Sequence, residues 1–300
     1  MMHRIDSHLH INFHGQSAED VVRSLADRGV DQGWVLTWEE TDSANPVYQE
    51  ITPEAVLEAC DRYRGILLPW CAPDPAVPGA VDRLRQYHAR GCVGCGELKT
   101  RLRWDDQRLD CYLETVAELG FPLIFHMEAP QTLIRPRHIL DRVLLRLGFK
   151  PGGACSEFPG YLPDFDGLAQ RFDQFPSIQF VGHGPLFWKG IDHNWEQEEA
   201  LFPDTPVSAP GITVQLLEKY PNMNADLSGR SGYNALARDP IFATRFIDRF
   251  QDRILYGTDN MDLGLMQLLR SLDLPGQTLD KVFGTNAERL LNSKAKNDTK

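Results

Sequence analysis

The sequence predicts an α/β fold, a (β/α)8 TIM barrel formed by a single domain. Short apolar runs alternate with amphipathic helical stripes along the chain. The runs lack polar alternation, which is typical of parallel strands buried on both faces. Histidines and carboxylic acids come directly after several of the runs. The length of 300 residues fits, because single barrels commonly run to about 250 residues or more.

The predicted strands are short and rich in Val, Ile, Leu and Phe. In chain order they cover residues 3–11, 33–37, 65–70, 92–98, 122–126, 178–182, 223–227 and 253–258. The first helix begins after Ser17, an N-cap hydroxyl with Asp20 three residues further on. Further apolar stripes are Val77, Val81 and Leu84; Leu109, Leu113 and Val116; and Ile241, Phe242, Phe246 and Phe250. This repeated strand–helix alternation predicts the barrel.

Two connections are too long to be simple turns. One covers residues 127–162 after the fifth strand, and the other covers 184–211 after the sixth. Both are rich in Pro, Gly and aromatic residues, and long loops at this face of a barrel usually form lids or binding walls. We expect one barrel domain over residues 1–291 and a flexible polar tail over 292–300.

Composition narrows the class of partner. The net charge of −11 disfavours a nucleic-acid-binding surface, which is usually basic. No apolar run approaches the roughly 20 residues of a membrane span, and the N-terminus lacks an apolar signal region. We therefore expect a cytoplasmic protein with reduced cysteines and a small-molecule substrate, with no nucleic-acid or membrane partner. Assembly into a homo-oligomer is left open.

The N-terminal segment carries an H-x-H pair at His8 and His10. Residues two apart on a strand face the same side, so both imidazoles point to one place. Asp6 shares that face and is a candidate acceptor for a hydrogen bond that holds one imidazole in its tautomer. By itself the pair also fits two polar residues with ordinary hydrogen-bond partners. Its combination with later histidines and an aspartate at strand ends favours metal ligation.

Three further candidates end apolar runs. His126 ends FPLIFH, His183 ends IQFVGH, and Asp259 follows RILYGT. The ends of barrel strands converge on one site, which favours a metal ligand at His126. His183 is a candidate ligand or catalytic base. Asp259 is a candidate ligand or general base, with a helix N-cap as the alternative.

The fourth predicted strand ends with Glu97 and Lys99, which face the same side. Glu97 either ligates metal, with a bridge between two ions as one form, or pairs with Lys99. The basic side chains on the predicted strand-end loops are candidates to bind a substrate carboxylate. They are Lys99, Arg101, Arg135 and Arg230. For the run that begins at Lys99, a solvated basic turn is the alternative.

In this order the motifs resemble the amidohydrolase superfamily. They are D-x-H-x-H, single histidines in FHME and VGHGP, then YGTD, and the ending VFGTNAERLL. The resemblance is to the amidohydrolase-related branch that contains aminocarboxymuconate-semialdehyde decarboxylase. It implies a (β/α)8 barrel and zinc or another divalent ion, with His8, His10, His126 and Asp259 as ligands. It also implies that His183 is the catalytic or second-metal histidine.

One segment departs from that branch. GCGELKT is closer to the glutamate-bearing strand of the superfamily's metal-dependent deoxyribonucleases, which leaves a second ion open. One ion is favoured, because the resemblance to the decarboxylase branch covers more of the chain. The expected activity is that of a metal-dependent hydrolase acting on an amide, ester or lactone of a small carboxylated substrate. Asp259 would accept the proton of water, and His183 would stabilise the oxyanion. The alternatives are a lyase, a non-oxidative decarboxylase of an unsaturated or aromatic carboxylate, and a non-catalytic metal-binding scaffold.

Overall fold

A computed structural model describes residues 3–41, 46–134, 138–149 and 155–292. Each of the eight predicted strand segments overlaps a strand. These strands are β1 Ile5–Leu9, β2 Gln32–Leu36, β3 Leu67–Trp70, β4 Cys95–Leu98, β5 Leu123–His126, β8 Phe180–His183, β9 Met223–Asp226 and β10 Ile254–Leu255, while β6 Gln131–Ile134 and β7 Cys155–Phe158 lie between β5 and β8.

The helices occupy the segments between the strands. They are α1 Ala18–Arg28, α2 Pro53–Arg62, α3 Ala80–Ala89, α4 Arg108–Glu118, α5 Ile139–Arg146, α6 Phe165–Gln174, α7 Pro185–Lys189, α8 Ile212–Lys219, α9 Gly229–Ala237, α10 Pro240–Arg249, α11 Leu265–Ser271, α12 Gly276–Asp280 and α13 Asn286–Asn292, with a π-helical turn at Lys281–Thr285. The predicted start of α1 is confirmed, since Ser17 and Asp20 form a reciprocal capping box. No helix in these described segments is long and apolar enough to cross a membrane.

The strands pair in parallel, as their apolar runs predict. β1, β2 and β3 form one sheet in that order, and β4, β5, β8, β9 and β10 form a second. Backbone contacts join the two sheets on both sides. Gly94 forms a parallel bridge with Trp70, and the Ser7 amide donates to the Tyr256 carbonyl (2.9 Å). Glycine is required at position 94, where the two sheets meet, because a Cβ there would lie 2.3 Å from the Trp70 ring.

Apolar side chains fill the space on both faces of the strands. A small cluster lies inside, where the Trp34 and Trp70 rings stack with centroids 4.4 Å apart against Leu36, Ile124 and Val181. A larger cluster packs the strands against the helices. Burial on both faces is why these strands read as continuous apolar runs.

The segment after β5 is more ordered than a long loop. β6 and β7 form an antiparallel hairpin, and α5 lies between them in the chain. Arg135, one of the predicted substrate-binding residues, lies outside the described residues. Of the predicted tail, Asn292 is described as the last residue of α13, and the remainder also lies outside.

Cys71 and Cys92 form a disulfide, with Cα atoms 6.2 Å apart. The expectation that all six cysteines are reduced is therefore wrong for this pair. That expectation came from the expected cytoplasmic location. The pairing of Trp70 with Gly94 brings Cys71 and Cys92 together, and spacing along the chain cannot show this contact.

Candidate metal centre

The carboxyl ends of the parallel strands gather the predicted ligands. His8 lies on β1, Glu97 on β4, His126 at the end of β5 and His183 at the end of β8, and Asp259 follows β10. β5 and β8 pair so that His126 and His183 are direct neighbours. All of these side chains are buried except that of Asp259, which is 19% exposed.

His8, His10 and Asp259 form one compact group of donor atoms. The two Nε2 atoms are 3.1 Å apart, and Asp259 Oδ1 lies 3.3 Å from Nε2 of His10 and 4.0 Å from Nε2 of His8. Two ligands that each lie about 2.0–2.2 Å from one ion can be at most about 4 Å apart. All three distances therefore fit a single ion.

Glu97 places its two carboxylate oxygens against different neighbours. Oε2 lies 3.7 Å from His8 Nε2 and 3.6 Å from His10 Nε2. Oε1 lies 2.7 Å from His126 Nδ1 and 3.8 Å from His183 Nε2. Glu97, His8 and His183 form a second group with metal-ligand spacing.

His126 takes a different position from the other histidines. Its Nδ1 faces Glu97, and its Nε2 lies 3.3 Å from Glu128 Oε2. The Tyr48 hydroxyl donates to the same Glu128 oxygen over 3.1 Å. Among the described residues, His126 belongs to neither group with metal-ligand spacing. Its role as a metal ligand therefore stays a prediction.

The hydrogen bonds of His10 and Glu97 show that their metal-facing atoms fit a cation. His10 Nδ1 lies 2.9 Å from the Leu36 carbonyl, which only accepts, so Nδ1 carries the proton and Nε2 of the neutral ring has a lone pair. Glu97 Oε2 is buried and accepts no hydrogen bond. Lys99 Nζ stands 3.1 Å from this oxygen as an ion pair. The His10 lone pair and this carboxylate oxygen, which is paired only with Lys99, both lie beside His8 Nε2 and fit the ligand shell of a divalent ion.

The charges of the imidazoles follow from their neighbours. Burial lowers the pKa of His10, and burial together with the adjacent His8 lowers that of His183 well below its usual value. Burial also acts to lower the pKa of His8. The carboxylates of Asp226 and Glu97 outweigh it and raise this pKa well above the usual value.

The two acids are held in their ionised forms. Burial acts to raise the pKa of Glu97, but the nearby Lys99 and His126 outweigh it and hold the pKa well below its usual range. Burial also acts to raise the pKa of Asp259, and its interactions with the adjacent His10 and His8 outweigh that effect.

Asp226, which the sequence analysis missed, orders two of the histidines. It ends β9, is fully buried, and lies with Oδ2 2.6 Å from His8 Nδ1. The Ser228 hydroxyl donates to the same oxygen over 2.7 Å and lies 2.9 Å from His183 Nδ1. The single hydroxyl proton goes to Asp226, so Ser228 accepts the Nδ1 proton of His183. His183 Nε2 therefore carries a lone pair.

Asp6 does not bind an imidazole, so that expectation is wrong. Its carboxylate accepts hydrogen bonds from Arg28 Nη1 (2.7 Å), from the Thr258 hydroxyl (2.7 Å) and from the His8 backbone amide (3.2 Å). Two-residue spacing on a strand establishes a shared face. It does not say which neighbouring strand supplies the partner, and here that partner is Asp226 of β9.

A cavity of about 490 Å³ opens onto His126, His183 and Asp259. Lys99 and Arg230, two of the candidate substrate-binding residues, line this cavity. Lys99 Nζ lies 3.8 Å from the centroid of the Trp38 ring and 4.2 Å from that of Tyr48. Arg101 is not among the described residues that line the cavity. Its Nη2 pairs with a Glu40 oxygen over 3.0 Å.

An amidohydrolase family model matches residues 5–292 of the chain. The protein belongs to the amidohydrolase family. The predicted resemblance is thus confirmed, and the protein is an enzyme of the amidohydrolase superfamily. Membership of this family, together with the grouped histidines and carboxylates, supports the binding of a divalent metal ion. No curated protein matches the sequence.

Solved structures show the fold. A TIM-barrel protein from Bordetella bronchiseptica has a TM-score of 0.63 and 15% identity, over 98% of this chain and 100% of that one. A probable 2-pyrone-4,6-dicarboxylic acid hydrolase from Acinetobacter baumannii has a TM-score of 0.57 and 13% identity, over 97% and 100%. A dihydroxybenzoic acid decarboxylase from Polaromonas, with bound manganese, has a TM-score of 0.54 and 16% identity, over 97% of each chain.

Proposed function

We propose that this amidohydrolase is a metal-dependent hydrolase that cleaves an amide, ester or lactone bond of a small carboxylated molecule. The single observation that carries the reaction type is the hydrogen bonding of His183. Its Nδ1 proton is directed to Ser228, so Nε2 faces the centre as a proton acceptor. Asp259 adds a carboxylate that lines the cavity. Hydrolysis requires removal of a proton from water, which two acceptors support.

His8, His10 and Asp259 would hold the ion, zinc or a similar divalent metal, with Glu97 Oε2 beside it and one ion per chain. When bound, such an ion acts as a Lewis acid and lowers the pKa of water. His126 is proposed as a further ligand, and its hydrogen bond with Glu97 supports a position beside the ion.

Asp259 is proposed to accept the proton of water and to return it to the leaving group. Its Oδ1 faces His10, and a Cβ at Gly229 would lie 3.0 Å from its Oδ2. Oδ2 therefore borders the space beside Gly229, and we assign the proton transfer to it. The same hypothetical Cβ would lie 3.5 Å from His183 Cε1, so the two acceptors border one small space.

The substrate is proposed to bind through its carboxylate to Lys99 and Arg230. Lys99 is held between the Trp38 and Tyr48 rings and is nearly buried, which strengthens its interaction with an anion. Arg230 lies over the Phe202 ring, with its guanidinium carbon 4.6 Å from the ring centroid. Both positions belong to the wall of the same cavity.

Decarboxylation of a small unsaturated or aromatic carboxylate is the second candidate. The decarboxylase from Polaromonas shares the fold over 97% of each chain and is described with manganese. The same metal ligands and the same cationic wall would serve this reaction. Its last step needs a proton donated to carbon, and the two acceptors that border the reaction space do not hold one in the resting arrangement.

The strands are proposed to close into a complete (β/α)8 barrel within one domain. The Ser7–Tyr256 hydrogen bond and the bridge between Trp70 and Gly94 support closure at both seams. Closure would fix the N-terminal histidines opposite β5 and β8.

The reaction is tested by incubating the metal-loaded enzyme with lactones, esters, amides and aromatic carboxylates in ¹⁸O-labelled water. Incorporation of label into a product carboxylate supports hydrolysis, whereas release of carbon dioxide without label supports decarboxylation. With the substrate that turns over, His183→Asn is expected to keep one bound metal and lower kcat by about 100-fold or more. Turnover near normal in this variant would contradict the role assigned to His183.

A further inference from the structure

Glu128 is a buried acid to which the proposed reaction gives no role. It follows His126 by two residues in the FHME motif, and its side chain is almost fully buried. Its Oε2 contacts two groups at once, because the Tyr48 hydroxyl donates to it over 3.1 Å and His126 Nε2 lies 3.3 Å away. Burial of a carboxylate is unfavourable without such donors, so these contacts fix the relative positions of all three side chains.

The backbone and the second oxygen of Glu128 are held by the segment that follows β5. The Glu128 amide donates to the Tyr161 carbonyl, and the Tyr161 amide donates to the Glu128 carbonyl, each over 3.0 Å. Gln131 Nε2 donates to Glu128 Oε1 over 2.8 Å. A Cβ at Gly160 would lie 2.4 Å from the Glu128 carbonyl oxygen, so the two backbones pack closely here. Glu128 is therefore held firmly just after the end of β5.

Tyr48 reaches this carboxylate from the segment after β2. Two hydrogen bonds anchor that segment on either side of the tyrosine. The Val47 amide donates to Glu40 Oε2 over 2.7 Å, and the Ile51 amide donates to the Trp38 carbonyl over 3.1 Å. The bond from the Tyr48 hydroxyl joins this anchored segment to the end of β5.

The Tyr48 ring is one of three groups around the Lys99 ammonium. Lys99 Nζ lies 4.2 Å from the centroid of this ring, 3.8 Å from that of Trp38 and 3.1 Å from Glu97 Oε2. Attraction between a cation and an aromatic face requires a short distance to the ring, so a shift of Tyr48 would weaken the hold on Lys99. Lys99 also lines the cavity, where an anion would complete the surroundings of its ammonium.

We propose that Glu128 is a positioning residue that links recognition of the substrate carboxylate to the metal centre. Through Tyr48 it fixes the position of the Lys99 ammonium, and through Nε2 of His126 it directs Nδ1 of the same ring toward Glu97. Both contacts use one oxygen, so a change of Glu128 affects both sites, whereas loss of the Tyr48 hydroxyl affects only the first. The inference rests on the proposed binding of a substrate carboxylate by Lys99.

Recognition of a carboxylate is measured by calorimetric titration of the metal-loaded enzyme with benzoate and with its neutral analogue benzamide. The wild type is expected to bind benzoate more tightly than benzamide. Tyr48→Phe keeps the ring but loses the bond to Glu128, so it should weaken benzoate binding by about 3–10-fold and change benzamide binding little. Glu128→Leu should weaken benzoate binding at least as much.

Two further variants separate positioning from a general loss of structure. Glu128→Gln should restore most of the benzoate affinity that Glu128→Leu loses, because the amide oxygen still accepts from Tyr48. Tyr112→Phe is the matched control, since it removes a buried hydroxyl that contacts Cys95 Sγ instead. It should bind both ligands as the wild type does.

A double-mutant cycle tests the link itself. Tyr48→Phe combined with Glu128→Leu should weaken benzoate binding no more than Glu128→Leu alone, because both changes remove the same hydrogen bond. Chelator competition should show metal affinity lowered by about 10–100-fold in Glu128→Leu and unchanged in Tyr48→Phe. Additive effects in the cycle, or full metal affinity in Glu128→Leu, would overturn the link.

Lys99→Met distinguishes a failure of this inference from a failure of the proposed function. If this variant binds benzoate as tightly as the wild type, or if the wild type does not prefer benzoate to benzamide, the proposed carboxylate site is wrong. If Lys99→Met loses benzoate affinity and Tyr48→Phe does not, the site stands and only the positioning role is overturned. Tyr48→Phe gives this answer even if Glu128→Leu does not fold.

Discussion

At the scale of single residues, one carboxylate determines how two histidines face the centre. Asp226 accepts from His8 directly and reaches His183 through Ser228. The first contact places a proton on Nδ1 of His8, and the second does the same for His183. Both Nε2 atoms are then directed to the centre, where each can bind an ion or a proton. Acceptors behind metal-binding imidazoles act in this way in many proteins.

Asp226→Asn should therefore weaken metal binding by about 10–100-fold without changing the number of ions bound. The amide keeps the size of the side chain but loses the charge that holds the Nδ1 protons. Chelator competition measures the affinity, and ¹⁵N NMR of the histidine side chains reports their tautomers. Asp248→Asn, on α10, is the control. Unchanged affinity with unchanged tautomers would contradict the role of Asp226.

The Glu97→Gln variant distinguishes two roles of Glu97: a bridge between two metal ions, and an ion pair with Lys99. We expect one ion per chain in both proteins, a weaker affinity in the variant, and a loss of about 3–5 kcal/mol in the free energy of unfolding. The loss follows because Lys99 would stay buried without its carboxylate. Metal analysis and denaturant unfolding measure the two effects.

Adding Lys99→Met to Glu97→Gln should recover much of the lost stability, since the buried charge is then removed. Two anomalous scattering peaks about 3.5–4 Å apart in the wild type would contradict the single ion. So would a fall from two ions to one in Glu97→Gln.

Part of this centre was predictable from residues that end apolar runs, as His183 and Asp259 do, and His8 was predicted from its H-x-H spacing with His10. Asp226 lies inside the predicted strand 223–227, one residue before its end, and no histidine adjoins it in the sequence. It was therefore not predicted. Glu128 and Tyr48 could not be found, because their contact depends on how a loop after β2 packs against the end of β5.

At the scale of elements, the start of α9 limits the space between Asp259 and His183, the two proposed proton acceptors. Gly229 has a φ of +69°, and a Cβ there would lie 3.0 Å from Asp259 Oδ2. Gly229→Ala should therefore lower kcat for the substrate that turns over and weaken metal binding. It should also cost about 1–2 kcal/mol of stability, since alanine is strained in this left-handed conformation.

Gly264→Ala is the matched control for this substitution. Gly264 has a φ of +80°, and the nearest atom to its Cβ would be Gln267 Oε1 at 3.8 Å. Alanine would be strained to a similar degree at position 264, but its Cβ would not enter the metal centre. If both variants lose stability and both keep full metal affinity and activity, Gly229 matters only for the backbone.

The parallel strands were predictable as elements, whereas the hairpin of β6 and β7 was not. The former are buried on both faces and therefore appear as apolar runs. β6 has three exposed residues of four, and its sequence QTLI carries little apolar signal. Strand lengths were also overestimated. The prediction for 92–98 yields a strand only over Cys95–Leu98, because Gly94 meets Trp70 in an isolated bridge.

At the scale of the whole molecule, composition narrowed the class of partner but did not show where a partner binds. The length of 300 residues fits a single barrel, and the net charge of −11 disfavours a nucleic-acid-binding surface. The same totals hide a basic segment at residues 131–150, whose charge is opposite to that of the chain. A net charge averages over the surface, so it cannot show where a partner binds.

The contact between the first and last parallel strands depends on a buried ion pair. Asp6 on β1 accepts from Arg28 of α1 and from Thr258 after β10, so one carboxylate ties three segments together. Its side chain is fully buried, and that of Arg28 is 11% exposed. Removing one partner of such a pair leaves an uncompensated buried charge.

Asp6→Asn should therefore lower the free energy of unfolding by about 3–5 kcal/mol. Asp61→Asn is the control, because Asp61 pairs with Arg64 at the surface, where the two side chains are 72% and 80% exposed. An exposed pair of this kind contributes at most about 1 kcal/mol. Urea unfolding measures both variants, with the m-value checking that each unfolds in the same way. Equal losses in the two variants would mean that the Asp6 pair does not hold the strands together.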